Sequence, residues 1–182
     1  MTKVLGIDCS STTIGYSVLE IDSSNTIKFI SCDYIKPTKK GSILFRIADT
    51  RNKIEKIVKD IKPDHVVIED IIQFMSGAST AKTIITLTSF NRMIGLLSYD
   101  LLKKEPQLFS VMTIRHGIKL KKELPKKEDI PELVSKHLNI KFPYQKNKKG
   151  NIKPENLDMA DSVAVALYYC FILTNKIKSK KK

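Results

Sequence analysis

A chain of 182 residues, 42% of them hydrophobic, has room for one domain with a real core. Thirty-two Lys and Arg against nineteen Asp and Glu leave a formal +13, a surface that attracts a polyanion, and nucleic acid fits better than an anionic membrane because no basic amphipathic helix with an aromatic face accompanies the charge. No apolar run reaches the roughly 18 residues of a bilayer span, "MTKVLG" lacks a secretory apolar region, and the dispersed Cys9, Cys32 and Cys170 make neither a metal-ligand pattern nor a disulfide framework, so a reducing, cytoplasmic setting is expected.

In chain order, "KVLGID" (3–8) is a mostly apolar strand that ends in an acid. After the hydroxyl-rich loop Ser10–Thr13, "IGYSVLEI" (14–21) is a second strand, "SSN" (23–25) a hairpin turn and "TIKFISCDYI" (26–35) a third strand. From Ser42 the apolar period becomes helical, through Ile43, Leu44, Ile47, Ile54, Ile57, Val58 and Ile61, and it stops near Pro63. "DHVVIED" is a short β-branched strand ending in Glu69 and Asp70, and "SGAST" (76–80) is a loop with helix-start chemistry. A long helix follows over 82–104, then "LFSVMTI" (108–114) as a buried strand and a helix within "PKKEDIPELVSKHLNI". "KFPYQKNKKGNIKPEN" (141–156) is a basic, turn-rich loop, and the last helix spans 157–174. From Arg115 to Lys153 there are twelve Lys and Arg against four Asp and Glu, and the tail "NKIKSKKK" adds five lysines.

The order βββαβαβα, with a basic helix and loop inserted before the final helix, predicts an α/β fold. Its mixed five-stranded sheet has three antiparallel strands, then two reached by helical crossovers, with helices on both faces. Asp8 then ends the first strand and Glu69 the fourth, while Asp158 and Asp161 of "LDMADS" open the last helix. An i, i+3 pair shares one helix face, and the helix N-terminus favours negative charge there. Phosphodiester cleavage needs an activated water and charge stabilisation on both sides of the phosphorus, which two divalent ions held by a few carboxylates supply. Such a cluster without a cation repels itself. Taken singly, each acid also has a structural explanation: a turn acid, a lysine partner, or a helix N-terminal preference.

Together, "LGIDCSSTTIGYSVLE", "HVVIED" and "LDMADSVAVALYY" resemble the RuvC family of Holliday-junction resolvases, in the RNase H-like superfamily, over nearly the whole chain. The lysine-rich composition and divergent middle resemble phage-encoded members. The resemblance implies one RNase H-like nuclease domain over 1–175, with a basic tail at 176–182. It also implies a homodimer on four-way junctions in the cytoplasm of a bacterium or a phage-infected host. That dimer makes paired symmetric nicks with two Mg²⁺ ions per site, replaceable by Mn²⁺, and leaves 5′-phosphate and 3′-hydroxyl ends. By position Asp8, Glu69, Asp158 and Asp161 correspond to the family's metal-binding acids, with Asp8 bridging the two ions. Phe74 stands near the place of the family's junction-inserting aromatic, somewhat further from Glu69; an exposed Phe stacks on an unpaired base for about 1–3 kcal/mol, and capping the core is the other reading. Ser79, Thr80 and Lys82 open the next helix, where free N–H groups hold phosphate. Asn91 and Arg92 are surface or dimer contacts, and "IITLTSFNRMIGLLSYDLL" is apolar on more than one face, as a subunit interface is. Lys119, Lys121, Lys122, Lys126 and Lys127 lie where the family carries phosphate-contacting lysines. Lys146, Lys148, Lys149 and Lys153 either close over DNA or form a solvated loop.

Rival readings differ in substrate. Actin-like ATPases share the strand–Asp–hydroxyl start, but need two such domains and a second Gly-rich loop; this chain's seven glycines never cluster, so no nucleotide cofactor is expected. A fork, flap or RNA–DNA hybrid nuclease would use the same acids. A non-catalytic junction binder would gain nothing from a carboxylate cluster facing phosphates.

Overall fold

The computed structural model describes residues 1–71 and 81–177. Three strands, β1 (Thr2–Cys9), β2 (Ile14–Ile21) and β3 (Ile27–Ile35), form an antiparallel meander. Its second turn is made by Asp22, whose Oδ1 accepts the N–H groups of Ser24 and Thr26, while Asn25 takes the left-handed conformation. Helix α1 (Ile43–Ile61) starts where the Ser42 hydroxyl accepts the Phe45 N–H at 3.2 Å and ends at the left-handed Lys62, just before Pro63. It crosses back to β4 (His65–Asp70), and α2 (Ala81–Leu102) leads to β5 (Gln107–Ser110). The spatial order is β3-β2-β1-β4-β5, with β4 parallel to β1 and β5 parallel to β4. The mixed five-stranded sheet expected from the sequence is therefore present.

Period-two alternation divides the core between the faces. Val4 and Leu19 face one layer, under α5 (Glu155–Leu173) and the smaller α3 (Val111–Ile118) and α4 (Ile130–Leu138). Leu5, Ile7, Ile14 and Val18 face the other, against Ile54 and Val58 of α1 and Phe90, Ile94 and Leu97 of α2. Helix α5 is long and apolar enough to cross a membrane by length and composition alone. Asp158 and Asp161 interrupt its apolar run, and 78% of the apolar window is buried in the protein, so its hydrophobicity serves the core.

Two expected elements are corrected. The strand expected over 108–114 stops at Ser110, whose hydroxyl accepts the Thr113 N–H and starts α3. Short apolar runs fit either element, and here Ile114 and Ile118 are buried at helical spacing. The loop at 141–156 contains a small hairpin with a Lys146–Ile152 bridge, and α5 begins at Glu155 rather than at 157.

Candidate active site

The site forms where three elements end. Asp8 is the penultimate residue of β1 and pairs across the ladder with Gly15. Ile7 is in register with Ile68 on β4, so Glu69 falls one strand over from Asp8. Helix α5 then comes down onto the sheet over two glycines. A Cβ on Gly6 would stand 2.8 Å from the Ala166 methyl, and one on Gly15 would overlap the Asp158 carbonyl. The absence of those two side chains lets the first turns of α5 reach the end of β1. Carboxylate oxygens of Asp8, Asp158 and Asp161 consequently all lie within 4.8 Å of one another. Glu69 stands beside this trio, outside that mutual distance but close enough that its charge and theirs repel.

Burial sets the electrostatics. It drives the Asp8 carboxyl well above the usual range, and the charges of Glu69 and Asp161 add to the rise. Glu69 is pushed up to about 7, first by burial and then by Asp161, with Arg115 and Lys127 opposing. Asp161, 6% exposed, is raised by burial against the pull of Lys127. Asp8, Glu69 and Asp161, crowded and resisting ionisation, could with Asp158 hold a cation, and an all-oxygen donor set fits a hard divalent ion.

Lys127 is the site's own cation. Its ammonium donates to Asp158 Oδ1 at 2.8 Å and lies 3.3 Å from Asp161 Oδ2. Burial works against its charge, but these carboxylates hold it charged well above the ordinary lysine value. Arg115 adds positive potential at Glu69 and Asp161. Its Nη1 reaches the Pro125 carbonyl at 3.4 Å, and its Nε is buried with no hydrogen-bond partner among the described residues. Arg115 carries no signal of its own in the sequence, because it directly follows the strand expected over 108–114, where α3 in fact begins at Val111. Asn91 is buried and not a surface or dimer contact: its Nδ2 donates to the Glu69 carbonyl at 2.8 Å. Arg92 pairs with Asp70 at 3.2 Å. The hydroxyl loop after Asp8 satisfies itself, with Ser10 Oγ donating to the Thr13 carbonyl and accepting the Thr12 and Thr13 N–H groups.

The remaining expected contacts divide. Phe74, Ser79 and Thr80 lie outside the described residues. Lys82 is exposed in the first turn of α2. Among the five lysines between α3 and α4, only Lys127 meets the acids. Lys119 turns to the Lys122 carbonyl, Lys119 and Lys121 line a cleft of about 200 Å³ against α4, and Lys122 and Lys126 are exposed. Lys148 and Lys149 are exposed at the hairpin tip. Lys153 folds back, its ammonium 3.2 Å from the Tyr34 hydroxyl and 3.3 Å from Gln145 Oε1.

The family model described as "Crossover junction endodeoxyribonuclease RuvC" matches residues 4–169. A protein of that description from Campylobacter concisus is 30% identical over 167 residues, covering 91% of this chain and 94% of its own. One from Finegoldia magna is 29% identical over 181 residues, 97% of this chain and 96% of its own. The fold superposes on Thermus thermophilus RuvC in complex with a Holliday junction substrate at a TM-score of 0.70 and 16% identity, over 94% of this chain and 95% of that one. It also superposes on the yeast mitochondrial Holliday junction resolvase Ydc2 at 0.67 and 17%, over 96% and 80%.

Proposed function

This chain belongs to the RuvC family of crossover junction endodeoxyribonucleases, and on that premise we propose that it resolves four-way DNA junctions by paired, metal-dependent nicks. The observation that carries the reading is the trio Asp8, Asp158 and Asp161 within 4.8 Å, closed by the Lys127 ammonium, on a chain of net charge +13. The oxygen-only ligand set suits Mg²⁺, with Mn²⁺ able to substitute. Asp8, Asp158 and Asp161 would hold the cation, with Glu69 completing the set. The chemistry that a bound metal would supply there is activation of the attacking water and stabilisation of charge on the phosphoryl group. The chain's own residues do the rest. Asn91 fixes the Glu69 backbone. Lys127 and Arg115 place positive charge beside the acids, where a phosphodiester is drawn in and its developing charge is stabilised. Attack of water on the phosphorus with the 3′ oxygen as leaving group breaks the P–O3′ bond and would leave 5′-phosphate and 3′-hydroxyl ends.

Two equivalent strands call for two sites, so the working unit is a homodimer. Helix α2 offers the surface for it: Ile85, Leu96 and Tyr99 are 65, 64 and 49% exposed on a helix whose other side is buried. The deciding experiment is cleavage of a synthetic mobile four-way junction with Mg²⁺, beside a linear duplex, a fork and an RNA–DNA hybrid, with Asp8→Asn in parallel and binding followed in EDTA. Symmetric nicks on the junction alone, lost in Asp8→Asn while binding persists, support the proposal. Equal cutting of forks or hybrids moves it to a broader nuclease, and no cutting with either metal overturns it.

A further inference from the structure

We propose that the hairpin of residues 145–153 is an outrigger that grips the phosphate backbone of a duplex arm several base pairs from the cleaved bond; this rests on the junction-nuclease reading above. The segment is a built element. Lys146 and Ile152 bridge, the Asn147 side chain accepts the N–H groups of Lys149 and Asn151, and Gly150 closes the turn in the left-handed conformation. Its base is locked by Asn156, 1% exposed, whose amide accepts from the Gln145 N–H and donates to the Gln145 and Lys153 carbonyls at 2.6–2.8 Å. Its flank is fixed to the edge strand β3: Gln145 donates to Asp33 Oδ1 at 2.9 Å, and the Lys153 ammonium rests 5.6 Å from the centre of the Tyr34 ring. Lys153 therefore braces the hairpin against β3.

What this frame displays is charge. Lys146, Lys148 and Lys149 are exposed, and among the described residues none of their ammonium groups has an acceptor partner. No carboxylate lies between Lys141 and Lys153 in the sequence. Three ammonium groups on a fixed turn, with no aromatic at the tip and the Asn147 side-chain oxygen engaged within the turn, match a row of phosphates. Geometry gives the distance. The anchor on β3 is two strand spacings, about 10 Å, from the strand bearing Asp8. Gln145 to Lys148 spans at most about 10 Å more. At 3.4 Å per nucleotide step, the tip meets the backbone about three to six base pairs from the phosphate at Asp8. Because Asn156 sits two residues before Asp158, the outrigger and the acid cluster ride on the same end of α5.

The test is junction binding by the full-length protein without divalent metal, across a salt series, comparing wild type with the triple variant Lys146→Ala, Lys148→Ala, Lys149→Ala. Both proteins are also tested on a junction whose phosphates three to six positions from the cleavage site are replaced by uncharged methylphosphonates. Three lost contacts should lower the slope of log affinity against log salt by about 2–3 and weaken binding about tenfold or more near physiological salt. The methylphosphonates should weaken wild type and leave the variant nearly unchanged. Unchanged binding and slope in the variant overturn the proposal, as does an equal methylphosphonate penalty on both proteins. A wild type that binds no four-way junction instead removes the reading beneath it.

Discussion

Gly15 lies directly beneath the backbone of Asp158, so close that a single methyl group there would overlap the Asp158 carbonyl. The same glycine faces Asp8 across the β1–β2 ladder. One residue without a side chain thus sets the separation of two acids 150 positions apart in the sequence. Gly15→Ala should push the first turn of α5 off the sheet and cost about 1–3 kcal/mol of stability, as overpacking does. Cleavage of the four-way junction should fall more than stability predicts, by about a hundredfold, the penalty of roughly 1 Å of misplacement. Junction binding in EDTA should persist. Full cleavage activity in a folded Gly15→Ala protein would sink this account.

Adjacent acids at the end of β4 have different partners, and this separates ligand from neighbour. Asp70 is taken by Arg92 at 3.2 Å and its side chain is 26% exposed. Glu69 is pushed up to about 7 by burial and by Asp161. Asp70→Asn should therefore cleave within about twofold of wild type and unfold within about 0.5 kcal/mol of it. Glu69→Gln and Asp8→Asn should each lose about a thousandfold or more in cleavage rate, the several kcal/mol a metal site supplies. Comparable losses in Asp70→Asn and Glu69→Gln would displace Glu69 from the site.

How much of this was legible follows from the range of the forces. The three-strand start, the change to a helical period from Ser42 and the stop near Pro63 are local signals, and the structure has them within a residue or two. The acids were legible because each sits at an element end, where chain order alone brings them together. Lys127 was named but not distinguished from four neighbouring lysines, since what singles it out is contact with acids 31 and 34 residues away. Arg115 directly follows a run, "LFSVMTI", that carries β-branched residues and no periodicity long enough to separate strand from helix, so its place on a helix facing the acids is hidden. Gly15 read as a strand residue because its function is space for another segment. The hairpin at 145–153 is held by Asn156, a side-chain cap that no composition rule reveals.

Lys127 pairs with Asp158 and Asp161 and places its charge near Asp8. Its removal strips Asp158 and Asp161 of their ion-pair partner beside Asp8 and leaves Arg115 as the nearby positive charge. Lys127→Met should lower the metal-free melting temperature at pH 8 by at least about 3 °C, the shift of roughly 1 kcal/mol in a domain of this size. Saturating Mg²⁺ should recover most of that loss, because a cation then occupies the same field. Cleavage should stay depressed even with Mg²⁺, because the phosphate loses its own positive partner. Calorimetry with and without Mg²⁺ reads the first two effects. A melting-temperature deficit that Mg²⁺ leaves untouched would mean Lys127 acts through packing.

The raised acids also tie stability to pH in a defined direction. Glu69 titrates near 7 when folded against 4.5 when free, so the folded chain holds the proton more tightly. Its stabilising contribution is complete below pH 4.5 and is lost as the pH rises through 7. Asp8 and Asp161, also raised, act in the same sense. His65, lowered by burial, acts in the opposite sense, so the contribution of the acids is isolated by difference against Glu69→Gln. The metal-free wild type should lose melting temperature relative to Glu69→Gln between pH 5 and pH 8. A divalent ion reverses the sign, because it requires the ionised carboxylates that the fold disfavours. The stabilisation given by a fixed Mg²⁺ concentration should therefore grow steadily from pH 5 to pH 8 in wild type and grow less in Glu69→Gln. Thermal unfolding over this pH range, with Mg²⁺ against EDTA, measures both curves. An Mg²⁺ increment that is the same at pH 5 and pH 8 would show that these carboxylates are not where the ion binds.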